Sequence, residues 1–185
     1  MQRSWTIARA CLVSLALVSA ACGSDDDTAG TADTTTTTAE APEVTTVDVI
    51  ARDYEFEGVP DTIAAGSTIS LTTEEGGEPH EFVAVLIPES ETRSVEELIA
   101  LPEEELGALF AEEPPLVTIA FPGSTDQPGP VVGDGTLTEP GRYIYLCTFP
   151  QGTTVDDVAN AQGPLEGDTP PHFTLGMVGE LTVVG

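Results

Sequence analysis

From residue 44 onward the chain breaks direction about every 8–12 residues at clusters of Gly, Pro, Asp and Ser, and apolar residues recur in period two between the breaks. That rhythm suits short strands rather than a helical bundle. Val47, Val49 and Ala51 alternate with Thr46, Asp48 and Ile50, and Tyr54-Glu55-Phe56 continues the alternation. Pro60–Gly66 reads as a turn leading into a strand over Ser67–Thr73. His80–Ile87 is a mostly apolar strand with a polar first end, and Leu116–Phe121 is another. Arg142–Cys147 follows the turn Glu139-Pro140-Gly141, and Glu180–Val184 closes the chain. Roughly seven short strands with this punctuation predict an all-β sandwich.

Two inserts interrupt the strands, over about residues 90–113 and 150–170. In the first, Ser94 and Glu97 form a capping box ahead of Leu98 and Ile99. Pro102 then fits the first turn of a second short helix, Glu103–Phe110, with three acids at its positive end. In the second, Thr154 is placed to cap a turn running through Asp157 and Val158.

Ahead of the sandwich, residues 1–22 read as an export signal. Arg3 and Arg9 precede the apolar run Leu12–Ala21, which is too short for the roughly 20 residues a membrane-spanning helix needs. The run ends Ser19-Ala20-Ala21-Cys22; small residues before a cysteine resemble the lipobox of bacterial lipoproteins, although Ser19 stands where an aliphatic residue is usual. Lipidation of Cys22 is the expectation, with the chain extracytoplasmic and lipid-anchored to the cell membrane, or secreted if Cys22 stays unmodified. Residues 23–43 hold few large apolar side chains, carry the run Thr34–Thr38, and are expected to be a disordered tether.

Without the signal the chain has three arginines, no lysine and 32 acids, a net charge of −29. Such a surface repels nucleic acid, which is excluded as a partner, and it keeps a monomer soluble or suits a cationic partner. Cys11 leaves with the signal. Cys147 is then the one cysteine of the folded region, in a compartment where free thiols oxidise unless buried or metal-bound.

The remaining soft donors are few. The chain has two histidines, His80 and His172, and Met177 follows the second by five residues. Two imidazoles, a thiolate and a thioether are the donor set of a trigonal copper site with a weak axial sulfur. Singly, each has a plainer role: His80 as a surface histidine at a strand start, Cys147 as a buried thiol, Met177 as core filling.

Three segments resemble the cupredoxins, the plastocyanin/azurin-type blue copper proteins. They are Tyr54-Glu55-Phe56 with Pro60-x-x-Ile63-x-x-Gly66; Glu78-Pro79-His80-Glu81-Phe82; and Pro140–Cys147 followed by Pro171-His172 and Gly176-Met177-Val178-Gly179. The resemblance covers most of residues 44–185 apart from the inserts. It implies a Greek-key sandwich, one type 1-like copper held by His80, Cys147, His172 and axial Met177, and electron transfer with a redox partner protein. A copper carrier, or a metal-free interaction or structural lipoprotein that keeps the fold, are the alternatives. The sequence departs from the family in two places. Here 24 residues separate Cys147 from His172, where the family has only a few; a loop roughly six-fold longer adds about 1.6 kcal/mol of closure entropy. Glu81 stands where Asn often follows the first histidine, free either to add an oxygen ligand or to hydrogen-bond a ligand.

Enzyme chemistry finds little support. A Cys–His nucleophile pair has no identifiable orienting group, Asp25-Asp26-Asp27 lacks calcium-loop spacing, and no phosphate-cradling glycine motif is present.

Overall fold

The computed structural model describes residues 42–109, 114–124 and 128–185, within the unit Ala39–Gly185. The expected export signal, Cys22, most of the tether and Phe110 lie outside the described residues.

Alternation in the first strand sets one wall of the interior. In β1 (Thr46–Arg52) Val47, Val49 and Ala51 are buried while Thr46, Asp48 and Ile50 face out. β4 (Ser67–Thr73) runs parallel to it from Thr46↔Thr68 to Ala51↔Thr73. β2 (Glu55–Glu57) and β8 (Thr136–Leu137) flank this pair, giving the order β2-β1-β4-β8.

The second sheet is larger. Its strands are β3 (Thr62–Ala64), β10 (Val178–Val184), β9 (Gly141–Leu146), β5 (His80–Leu86), β6 (Leu116–Ala120) and β7 (Pro128–Val132), in that spatial order. Within it β5, β6 and β7 are consecutive antiparallel neighbours, and β9 returns to lie beside β5. That is the Greek-key arrangement. Val47, Val49, Ile69 and Leu71 of the first sheet meet Phe82, Ala84, Tyr143, Leu181 and Val183 of the second in one apolar core. The mostly-β, two-sheet fold with few short helices is the one expected.

β5 explains the use of the first insert. Its run Phe82-Val83-Ala84-Val85-Leu86 has no polar alternate, so both faces need cover. Phe82 and Ala84 enter the core between the sheets, while Val85 and Ile87 join a second cluster with Ile144, Leu146 and Leu98. Leu98 belongs to α1 (Val95–Ile99), which carries the expected capping box: Ser94 accepts from Glu97 N–H and the Glu97 carboxylate from Ser94 N–H. α2 (Glu103–Leu109) follows. Arg142 fastens the insert to the sheet, donating to the carbonyls of Glu91 and Arg93 while pairing with Glu180 on β10.

Two expectations needed correction. The segment Pro60–Gly66 is more than a turn: Thr62–Ala64 pair in parallel with Thr182–Val184. Three residues are too few to show a period. β7 and β8 were not anticipated: β8 is only two residues long, and Pro128-Gly129-Pro130 in β7 reads as punctuation, though on the edge of a sheet proline's missing N–H is tolerated.

Candidate metal centre

Adjacent strand ends bring the donors together. His80 opens β5, Cys147 directly follows β9, and both strands are neighbours in the larger sheet. His172 begins a 3-10 turn (His172–Leu175) that leads through Met177 into β10, the other neighbour of β9. Four backbone bonds lash these pieces together. Cys147 N–H donates to Met177 (3.1 Å), Met177 N–H to His172 (3.1 Å), Phe173 N–H to Cys147 (2.9 Å) and His172 N–H to Phe149 (2.9 Å).

His80, Cys147 and His172 are fully buried, and their donor atoms converge. Nδ1 of His80 lies 3.1 Å from Nδ1 of His172, and the Cys147 sulfur lies 4.0 and 3.4 Å from those two nitrogens. These separations make an acute triangle whose circumcentre is about 2.1 Å from each atom, against metal–nitrogen bonds of about 2.0–2.1 Å and metal–thiolate bonds of about 2.3 Å. The donors therefore fit a single trigonal ion with little adjustment. Met177 is fully buried in the same core cluster as Cys147.

Burial sets the protonation of the metal-free cluster. The Cys147 thiol is pushed up to about 12, mainly by desolvation and then by the charge of Glu81, against the N–H groups of Glu81 and Phe149 that favour thiolate. His80 is lowered to about 4 by burial and by His172. His172 is lowered by burial too, with Glu78 opposing. Both imidazoles are neutral at neutral pH and offer lone pairs.

Glu81 resolves between its two expected roles. It adds no oxygen to the donor cluster; its carboxylate accepts from the N–H of Thr148 (3.0 Å) and from the Thr148 hydroxyl, and its own N–H points to the Cys147 sulfur at 3.5 Å. It thus holds the residue after the cysteine and donates to the cysteine itself.

The 24-residue excursion folds back. Pro150 bridges Pro171 antiparallel, Gln151 N–H donates to Pro170 (3.0 Å) and the Thr169 hydroxyl to Gln151 (2.7 Å). The base is pinched shut beside the site, and the excess length lies beyond it, including the expected short helix α3 (Val155–Asn160) capped by Thr154.

Tyr54, which lies in the turn before β2 rather than continuing a strand, and Gly176 complete the surroundings. Tyr54 sets its ring edge-on to His172 (centroids 5.2 Å, 72°) and takes a hydrogen bond from Gln151. Its backbone is in the left-handed region (φ 70°), and its carbonyl packs against Gly176, where a Cβ would sit 2.8 Å away. Gly176 itself has φ 130° and closes the His172 turn. Gly176→Ala should therefore cost about 1–3 kcal/mol of stability, measured by chemical denaturation; a loss near zero would mean that Tyr54 yields freely. Nothing in the sequence signals that residue 54 meets residues 172 and 176.

No family model matches the chain, and no curated protein matches it. Among solved structures it is similar to dithionite-reduced auracyanin from the photosynthetic bacterium Roseiflexus castenholzii, at 20% identity over 78% of this chain and 100% of that one, with a TM-score of 0.38. It is similar to auracyanin B at 20% identity (79% and 92% covered, TM-score 0.34). It is also similar to auracyanin A, a "blue" copper protein from the green thermophilic photosynthetic bacterium Chloroflexus aurantiacus, at 19% identity (75% and 98% covered, TM-score 0.41). Identities and TM-scores of this size carry no argument about function. The donor geometry does.

Proposed function

We propose that this chain is a cupredoxin-like protein that binds one copper ion, type 1-like, and passes single electrons. The observation that carries the reading is the triangle of His80 Nδ1, Cys147 Sγ and His172 Nδ1, already sized for a trigonal ion. Copper held there supplies a one-electron couple between its cupric and cuprous states.

The residues do the rest. His80 and His172 give neutral nitrogens, and Cys147 gives a thiolate once its proton leaves. Met177, buried beside the cysteine, is the candidate axial thioether. The lashings between residues 147, 149, 172 and 177 hold the donors in one place whatever the charge on the ion, which keeps rearrangement on electron transfer small. Burial excludes water from the donors. It also favours a retained ion over one carried and released, so electron transfer stands ahead of the carrier reading. In the cell, the reading places the chain outside the cytoplasm as a monomer anchored through lipid on Cys22, meeting a redox partner there.

Addition of Cu(II) to the chain beginning at residue 23 tests this. One equivalent should bring up an intense visible thiolate-to-copper band that bleaches on reduction and returns on reoxidation. No band in the wild type, or the same band in Cys147→Ser, would sink the assignment.

A further inference from the structure

One carboxylate oxygen outside the donor cluster touches both a donor and the start of the long excursion. Oε2 of Glu78 accepts from Nε2 of His172 at 3.0 Å and from the N–H of Gly152 at 2.8 Å. Glu78 is itself held, because its N–H donates to Asp53 Oδ1 at 3.2 Å. The other imidazole is treated differently. Nε2 of His80 is buried without a hydrogen-bond partner among the described residues, with Asp53 Oδ1 at 3.7 Å.

We infer that Glu78 is the positioning residue of the site: it fixes the His172 ring and tautomer, couples that ring to the base of the excursion, and sets its donor strength. The redox part of this inference rests on the copper reading above; the tautomer part does not.

The chemistry follows from the geometry. A carboxylate accepting from Nε2 keeps the imidazole proton there, which leaves Nδ1 as a lone pair turned toward Cys147 and His80. Negative charge on the far side of the ring makes Nδ1 a stronger donor and favours the higher-charged metal state, which lowers the reduction potential. Because Gly152 shares the same oxygen, the ring and the first residues of the excursion are bound to one anchor. In the sequence these partners are far apart: Glu78 and His172 are separated by 94 positions and Glu78 and Gly152 by 74.

Two substitutions separate the roles. Glu78→Gln keeps an acceptor oxygen and removes the charge; Glu78→Ala removes both. In nitrogen-15 spectra of the metal-free chain, His172 should be a single Nε2–H tautomer in wild type and Glu78→Gln, and a mixture in Glu78→Ala. In copper-loaded protein the midpoint potential of Glu78→Gln should shift upward with the charge-transfer band unmoved, and Glu78→Ala should bind copper about 10–100-fold more weakly. An unshifted potential in Glu78→Gln, or a single tautomer in Glu78→Ala, overturns the inference. If Glu78→Ala does not fold, the Glu78→Gln potential decides. If wild type forms no charge-transfer band, the copper reading fails, and the tautomer spectra still decide whether Glu78 positions the ring.

Discussion

Copper uptake should tighten about tenfold for each pH unit from roughly pH 7 to pH 9, close to 100-fold across the interval. The sign follows from the protons that must move. At these pH values the Cys147 thiol, pushed up to about 12, still carries its proton, and metal binding expels it. His80, lowered to about 4, has no proton to give up, and His172 is lowered as well. One proton leaves per ion, so raising the pH favours the bound state, with a slope of one. An exposed thiol would level off near its ordinary value of about 8.5; here the slope continues past pH 9. Competition against a chelator at several pH values measures it. Calorimetry in buffers of different ionisation enthalpy counts the proton directly. A flat affinity above pH 7 would mean that the thiolate exists before the metal arrives.

Phe82→Ala should remove about 3–5 kcal/mol of stability. Phe82 is fully buried, stacks on Tyr145 (centroids 5.1 Å, 14°) and takes Phe56 edge-on at 5.2 Å. The ring bridges β5, which carries His80, and β9, which leads to Cys147. Truncation loses the transfer energy of the ring and leaves a cavity among side chains anchored to strands of both sheets, which have little freedom to collapse into it. Guanidinium unfolding of the metal-free chain, followed by circular dichroism, checks the value. A loss below about 1 kcal/mol would show that the aromatic trio is not where the two sheets are held.

Much of the fold was legible because burial is periodic. Val47, Val49 and Ala51 alternate in sequence and in exposure, and the caps at Ser94 and Thr154 follow from local spacing. β3 and the strand containing Pro128 and Pro130 were not, since their pairing depends on distant partners rather than on their own composition. The donor set divides in the same way. His80, Cys147, His172 and Met177 stand out because their residue types are scarce. Glu78 is one acid among 32, and only the folded chain sets it against His172. Glu81 was legible as a neighbour of the site, but its partner Thr148 was not.

The base of the 24-residue excursion is closed by Gln151, Thr169 and the Pro150–Pro171 bridge, while α3 beyond it touches the core only through partly buried Val158. Opening at the tip and opening at the donors are therefore separate events with separate free energies. A protease cut between residues 155 and 163 would leave Cys147 and His172 on different polypeptides. The fragment bearing His172 would still be held through β10, between β9 and β3. The extra length keeps its own hold on the core through Val158 and Leu165, so both sides of a nick stay attached and the donors of a two-piece protein would keep their places.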